Sequence, residues 1–170
     1  MEIEQFDKIL SDIEVYFLHK VQRKISRREI FDALLLLLYD KENLEWEGDL
    51  WDISTTYEEL VTLLDNFDFD TLQQAIIIEE GIIPKIFAFQ KLVKVKQKGE
   101  VWKIHRYDSD PFPSNPHAHN LQSNIKLDLS NGKCYKKREY VFSISEKTLL
   151  AIREKALLVY KGDLPPLKIA

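Results

Sequence analysis

The chain has 170 residues, of which 45% are hydrophobic and 31% are charged, as is typical of a soluble globular domain. Cys134 is the only cysteine, which excludes an intramolecular disulfide and a cage of thiolate metal ligands. The first residues are acidic and do not resemble a signal peptide, and no apolar run reaches the roughly 20 residues that a membrane helix needs. We therefore expect a cytoplasmic protein that has no membrane partner.

The net charge of −4 conceals an asymmetry between the two halves. Residues 1–90 carry 8 basic and 20 acidic residues, a net charge of −12, whereas residues 91–170 carry 16 basic and 8 acidic residues, a net charge of +8. A basic half favours an anionic partner such as RNA. The alternative is that the two halves complement each other, because charged runs are often solvated or paired faces.

The first half has the pattern of helices. Apolar residues at three-to-four spacing predict an amphipathic helix over residues 3–23. Ser26 and Glu29 form a capping box, in which the two side chains satisfy free N–H groups at a helix start. A second capping box lies at residues 55–58. The predicted elements of this half are helices over residues 3–23, 30–40, 55–66 and 70–81, with a polar loop over residues 45–52.

The second half changes to the period of two that is typical of strands. The predicted strands cover residues 87–95, 101–107, 125–129 and 134–142, and a last helix capped by Ser145 covers residues 146–160. Asn131 and Gly132 form a strong hairpin signal, because both residue types tolerate positive φ. The predicted fold is therefore α+β: an acidic helical region (1–83) followed by a basic antiparallel sheet of about four strands with a closing C-terminal helix (84–170), together forming one compact unit.

Three of the four histidines fall within fifteen residues, in a segment that also holds three of the six prolines. An extended backbone places His117 and His119 on one face, and His105 lies near the end of the neighbouring predicted strand. Imidazole titrates near neutral pH, so such a cluster suits acid–base cleavage of an RNA phosphodiester without a metal cofactor. The predicted catalytic residues are His105, His117, His119 and Asp108, and those predicted to bind RNA phosphate are Arg106, Tyr107, Lys136, Lys137 and Arg138.

Three alternatives remain open for these residues. The pair His117 and His119 could bind zinc or a similar ion together with His105, or with a carboxylate of Asp108 or Asp110, although the surrounding Lys and Arg oppose a cation. The histidines could instead order a loop through hydrogen bonds to the backbone. Residues 136–138 could be part of an edge strand that lysines keep soluble. The neighbouring Tyr135 and Tyr140 could stack on bases or could be half-buried strand residues.

Three features follow one another along the chain: Arg106-Tyr107-Asp108, then Pro116-His117-Ala118-His119, then a helix beginning near Ser145. In this order they resemble small uncharacterised proteins of prokaryotic toxin–antitoxin operons. Those proteins carry an RYD…PHxH pattern on a compact β-sheet closed by a C-terminal helix. The resemblance spans about residues 86–160. This chain lacks the additional histidines that such proteins often have between the two elements, and its acidic helical half is extra. The resemblance implies a cytosolic toxin or defence-type effector that acts on RNA.

The sequence thus predicts a small ribonuclease of the toxin or defence type, with RNA as its partner. A cognate antitoxin or another protein would bind through the acidic helices. The main alternative is a non-enzymatic interaction module of the antitoxin, immunity or adaptor type, and a second alternative is a metal-dependent hydrolase.

Overall fold

The computed structural model describes residues 3–39, 41–87, 99–105 and 111–169, and for Ile3 and His105 it describes the backbone alone. The chain forms two compact units, Met1–Leu72 and Gln73–Ala170, so the division falls N-terminal to the predicted boundary at residue 83. The first unit has 7 basic and 18 acidic residues, a net charge of −11, and the second has 17 basic and 10 acidic residues, a net charge of +7. Within the described ranges, no helix is long and apolar enough to cross a bilayer.

The N-terminal unit is helical, as predicted. Its helices are α1 (Ile3–Lys20), α2 (Arg27–Leu38) and α3 (Tyr57–Leu64), and two 3₁₀ turns cover Glu47–Asp52 and Phe69–Gln73. The apolar stripe of α1 is buried, as its three-to-four spacing requires. It supplies Phe6, Leu10, Ile13 and Phe17 to the buried core, to which α2 contributes Leu34, Leu35 and Leu38.

Both predicted capping boxes are present. The Ser26 N–H donates to Glu29 Oε2 at 2.9 Å, and the Glu29 N–H donates to Ser26 Oγ at 3.3 Å. The second box joins Thr56 to Glu59, one residue beyond its predicted position. Burial acts to raise the pKa of Glu29, but the Ser26 backbone N–H and the Arg23 guanidinium, which lies 2.7 Å away, outweigh burial and hold this pKa below its usual value.

The C-terminal unit is an antiparallel sheet with a helix on one face, which confirms the α+β class. Six strands rather than about four are found in the described part of this unit, and they pair in chain order. They are β1 (Ala75–Ile78), β2 (Glu100–His105), β3 (His117–Asn120), β4 (Ile125–Leu127), β5 (Lys133–Lys136) and β6 (Glu139–Ser143). Helix α4 (Glu146–Val159) follows, and the Ser145 side chain caps it as predicted.

One face of the sheet forms the apolar core of this unit. Trp102 of β2 is fully buried opposite Ile76, and Ile152 and Ala156 of α4 belong to the same cluster. One apolar row crosses β2 to β6 and consists of Ile104, Ala118, Leu127, Cys134 and Phe142. Burial raises the pKa of the Cys134 thiol to about 12, so the thiol is protonated at neutral pH and poorly nucleophilic.

Two of the predicted elements are wrong. The helix predicted over residues 70–81 is a 3₁₀ turn followed by β1, because the β-branched run Ile76-Ile77-Ile78 favours a strand once β2 is there to pair with it. The single strand predicted over residues 134–142 is a hairpin of β5 and β6 that turns at Lys137 and Arg138. Of the strand predicted over residues 87–95, Phe87 lies in a turn and the rest is outside the described residues.

The predicted turn at Asn131-Gly132 is confirmed, but its geometry differs. Only Gly132 has positive φ (77°), so this is not a two-residue turn with both residues left-handed. The Asp128 carboxylate organises a longer turn by accepting hydrogen bonds from the Ser130 N–H at 2.7 Å and from Asn131 Nδ2 at 2.8 Å. An aspartate that binds its own following backbone in this way is a common device of tight turns.

Candidate functional site

The second face of the sheet, which is opposite to the apolar core, carries the predicted site residues. Residues directly opposite each other on antiparallel strands share a face. A row of polar and aromatic residues therefore crosses β2 to β6 on this face, and it consists of Lys103, His119, Lys126, Tyr135 and Tyr140. In the adjacent row, His105 lies opposite His117. The fold thus brings the backbone positions of all three predicted histidines onto one face.

His117 and His119 lie side by side and are buried. Their ring centroids are 6.3 Å apart, and their exposed fractions are 1% and 2%. The spacing that predicted a shared face is therefore confirmed. Their burial means that a substrate cannot reach either ring while the surrounding structure is closed.

Each of the two rings has a hydrogen bond to a neighbouring loop. His117 Nδ1 lies 3.1 Å from the Ser114 carbonyl oxygen, which can only accept, so Nδ1 carries the proton. His119 Nε2 lies 3.1 Å from Asn124 Oδ1, and it donates to that amide oxygen. Asn124 itself is left-handed, with φ 52°. The histidine pair therefore fastens the loops on either side of β3.

The proline-rich loop, residues 111–116, is held from two sides. The Leu129 N–H donates to Ser114 Oγ at 3.2 Å, and Ser114 Oγ donates to the Pro116 carbonyl at 2.9 Å. Together with the bond from His117, these contacts fix the loop between β3 and the end of β4. Ser114 is thus the central residue of this loop, although it is not among the site residues predicted from the sequence.

The loop positions Phe112 in an aromatic cluster on the β5–β6 hairpin. The Phe112 ring meets Tyr135 edge-on, with centroids 4.8 Å apart, and the Arg138 guanidinium lies 5.1 Å from the Phe112 centroid. Tyr135 and Tyr140 have centroids 6.3 Å apart, and Tyr140 is 57% exposed. We call this surface the hairpin patch, and it consists of Phe112, Tyr135, Lys136, Lys137, Arg138 and Tyr140.

The two turn residues of the hairpin patch adopt an unusual backbone. Lys137 and Arg138 have φ 48° and 68°, and Lys136 pairs with Glu139 on either side of them. Two consecutive left-handed residues define a type I′ turn, which normally takes Asn-Gly. Each long side chain in this region costs about 1 kcal/mol. The turn therefore holds two cationic residues at its tip in a strained backbone conformation.

The phenol of Tyr135 is neutral at physiological pH, and its surroundings in the hairpin patch extend the pH range over which it stays neutral. Burial, with smaller contributions from Asp128, Cys134 and Tyr140, raises the pKa of Tyr135 above its usual value. A neutral ring beside three cationic residues is suited to stacking, whereas a phenolate would bind the cations itself.

The remaining predicted site residues are only partly placed. Arg106, Tyr107 and Asp108 lie outside the described residues, as does Asp110, and the His105 side chain is not described. No group of three or more His, Cys, Asp or Glu side chains in the described ranges is arranged to hold a metal ion. The proposed zinc set depends on His105, so it stays a prediction.

Sequence reasoning identified the cationic and tyrosine members of the hairpin patch but missed Phe112 and the two loop anchors Ser114 and Asn124. The concentration of prolines around Phe112 and Ser114 was the available signal, because prolines limit backbone freedom and often mark a loop of defined shape. Comparison with protein families, with curated proteins and with solved structures finds no match to this chain.

Proposed function

We propose that this protein is a toxin or defence-type protein that binds single-stranded RNA through the hairpin patch. The observation that carries the proposal is the aromatic cluster of Phe112, Tyr135 and Tyr140 beside three consecutive cationic residues, one at the end of β5 and two in the turn. Aromatic rings stack on bases of any sequence, and Lys and Arg neutralise phosphates, so the combination is typical of surfaces that bind single strands.

The charge of the C-terminal unit supports RNA as the ligand. Its sequence has a net charge of +7, and an excess of positive charge attracts a polyanion over several ångströms at moderate salt. The strained backbone at Lys137 and Arg138 also supports a functional role for the turn, because strained residues concentrate at functional sites.

In this proposal the histidine pair acts on binding indirectly. His117 holds Ser114, Ser114 holds the proline-rich loop, and that loop carries Phe112 against Tyr135. His117 is therefore a positioning residue for the hairpin patch. Its removal weakens RNA binding by loosening Phe112, while the cations of the turn remain.

Fluorescence anisotropy with a labelled single-stranded RNA, measured across a salt series, tests the proposal. If the three cations each neutralise one phosphate, the plot of log affinity against log salt has a slope of about −2, at about 0.7 per contact for single strands. Arg138→Ala reduces that slope by about 0.7. Lys161→Ala is the matched control, because it removes an exposed cation outside the patch. Equal effects of the two variants, or no binding at low salt, would contradict the proposal and favour the protein-interaction alternative.

Tyr140 provides a test of stacking that does not depend on charge. Tyr140→Ala weakens binding about tenfold, since stacking on one base contributes roughly 1–3 kcal/mol. Tyr140→Phe retains the ring and removes only the hydroxyl that lies 3.1 Å from Ser143 Oγ, so it keeps wild-type affinity. A loss of binding in both variants would show that the hydroxyl, and not the ring, is responsible.

RNA cleavage is the second candidate function, and the adjacent imidazoles favour it. Two rings with centroids 6.3 Å apart could serve as the acid and the base on either side of one phosphodiester. Because both rings are buried, cleavage requires the structure around them to open. Asp108 would orient an imidazole, as in the sequence-based hypothesis.

A cleavage assay with end-labelled RNA tests this function. The RNA is incubated with wild-type protein, His117→Ala or His119→Ala, in the presence and absence of EDTA. Metal-free catalysis predicts cleavage that survives EDTA and is lost in both variants. His19→Ala, on the exposed face of α1, is the control. Cleavage that EDTA abolishes would support the metal-dependent hydrolase instead. Cleavage by either histidine variant would remove that histidine from the mechanism.

A further inference from the structure

The outward face of α4 is exposed and partly apolar. Leu150, Leu157 and Leu158 are 39%, 59% and 85% exposed, although α4 buries Leu149, Ile152 and Ala156 against the sheet. A shallow groove on this face is lined by Glu146, Lys147, Leu150, Ala151 and Glu154. Single exposed leucines are ordinary, but three on one short helix form a surface that gains free energy when it is covered.

Two opposite charges flank the centre of this face. Lys147 and Glu154 are seven residues apart, which places them about 20° apart around the helix axis and about 10 Å apart along it. That distance is too long for an ion pair within the helix. Neither residue makes an ion pair with any part of the chain that the structure describes. The face therefore presents one positive and one negative site on either side of Leu150 and Ala151.

A two-fold axis between Leu150 and Ala151 makes this face complementary to itself. When a second α4 lies antiparallel across it, Lys147 of one copy faces Glu154 of the other, and the same pair forms again on the opposite side of the axis. The Leu150 side chains of the two copies meet on one side of the contact line, and the two Ala151 side chains meet on the other, where their small size allows the helices to approach closely. Such reciprocal contacts are the signature of an isologous interface.

We propose that the outward face of α4 binds a second copy of this chain as an antiparallel, two-fold symmetric helix pair. The charges favour a second copy, because Lys147 and Glu154 of one chain are complementary to the same two residues of another. They favour the antiparallel orientation, since a parallel arrangement would bring like charges together. The 14 residues of α4 span about 21 Å, so the interface is small and the dimer is weak, with a dissociation constant in the micromolar range. The dimer brings two C-terminal units together and does not depend on the proposed function.

Charge reversal tests this arrangement directly by analytical ultracentrifugation between about 5 and 200 μM protein. Lys147→Glu or Glu154→Lys alone converts both symmetric attractions into repulsions and weakens dimerisation about tenfold or more. The double variant Lys147→Glu/Glu154→Lys restores both pairs and returns the dissociation constant to within about threefold of the wild type. Lys133→Glu, an equal charge change at an exposed position on β5, is the control and leaves dimerisation unchanged.

Leu150→Asp provides a second measurement, because Leu150 is 39% exposed and its two copies meet beside the two-fold axis. It makes the protein monomeric over the whole concentration range, while circular dichroism shows an unchanged fold. Wild-type protein that is monomeric at 200 μM overturns the proposal. Dimerisation that survives the single reversals overturns it as well, and failure of the double variant to recover overturns the antiparallel arrangement.

Discussion

Replacing the two strained turn residues of the hairpin patch with the residues that a type I′ turn prefers separates stability from binding. The double substitution Lys137→Asn/Arg138→Gly keeps the backbone path, in which the two residues have φ 48° and 68°. Asn and Gly adopt these angles with little cost. The substitution therefore removes backbone strain from the folded state and, at the same time, removes two cations from the patch.

The expected gain in stability is about 1 kcal/mol. Relief of the left-handed strain contributes roughly 1 kcal/mol at each position. Glycine returns about 0.5–1 kcal/mol of this through its greater freedom in the unfolded chain. Loss of the Arg138 guanidinium from the face of Phe112 costs a further 0.5 kcal/mol or so, because the contact is at the surface. For a unit of this size, a net gain of 1 kcal/mol raises the melting temperature by about 5 °C.

Thiol labelling of Cys134 measures this gain in the C-terminal unit alone. Cys134 is fully buried and is the only cysteine, so a thiol reagent reacts with it after the unit opens. When opening is in rapid equilibrium, a gain of 1 kcal/mol slows labelling about fivefold. Lys133→Asn, on β5 rather than in the turn, is the control and gives no such protection. Equal or faster labelling of the turn variant would refute the reasoning, as would RNA affinity that is undiminished at low salt.

Three further predictions follow from the buried groups. His119→Ala destabilises the C-terminal unit by about 2 kcal/mol, because it leaves a cavity and removes the donor that pairs with the buried Asn124 amide oxygen. The control His19→Ala, on the surface of α1, changes stability by less than about 0.5 kcal/mol, and thermal melts compare the two variants. The buried Cys134 thiol contributes fully to stability below about pH 9, because its pKa is raised in the folded state. Between about pH 9 and pH 12 this contribution declines by up to about 1.4 kcal/mol per pH unit. Urea titrations of Cys134→Ala therefore show a weaker alkaline loss of stability than those of the wild type. Ser26→Ala destabilises the N-terminal unit by about 1 kcal/mol through loss of the helix cap. Because the pKa of Glu29 is lowered in the folded state, the contribution of this cap is present above pH 4.5 and is lost on acidification. An unchanged urea midpoint of Ser26→Ala at pH 7 would contradict this stabilising role of the cap.

Local signals predicted most of the helical unit. Capping boxes and three-to-four apolar spacing depend on residues within one or two turns of each other, so α1, α2, α3 and the start of α4 could be found from the sequence. The strand β1 was missed because its isoleucines show no alternation, and only the pairing with β2 distinguishes a strand from a helix there.

The β5–β6 turn could not be predicted, since Lys137 and Arg138 carry none of the usual turn chemistry. The common face of His117 and His119 follows from the period of two and was predicted. Their burial was not, because it depends on tertiary packing, and so do their hydrogen bonds to the loops on either side of β3. The distinction between a catalytic and a loop-ordering histidine therefore lies in tertiary contacts, which spacing does not encode.

The meander of β1 to β6 also has a kinetic consequence. Every strand of the described sheet pairs with its neighbour in sequence, and the connections from β3 to β6 contain at most five residues. Closing such short loops costs little entropy, so the transition state for folding is reached mainly through local contacts. The four strands that carry the hairpin patch and the histidine pair can therefore form one after another from local contacts, and α4 then covers their apolar face.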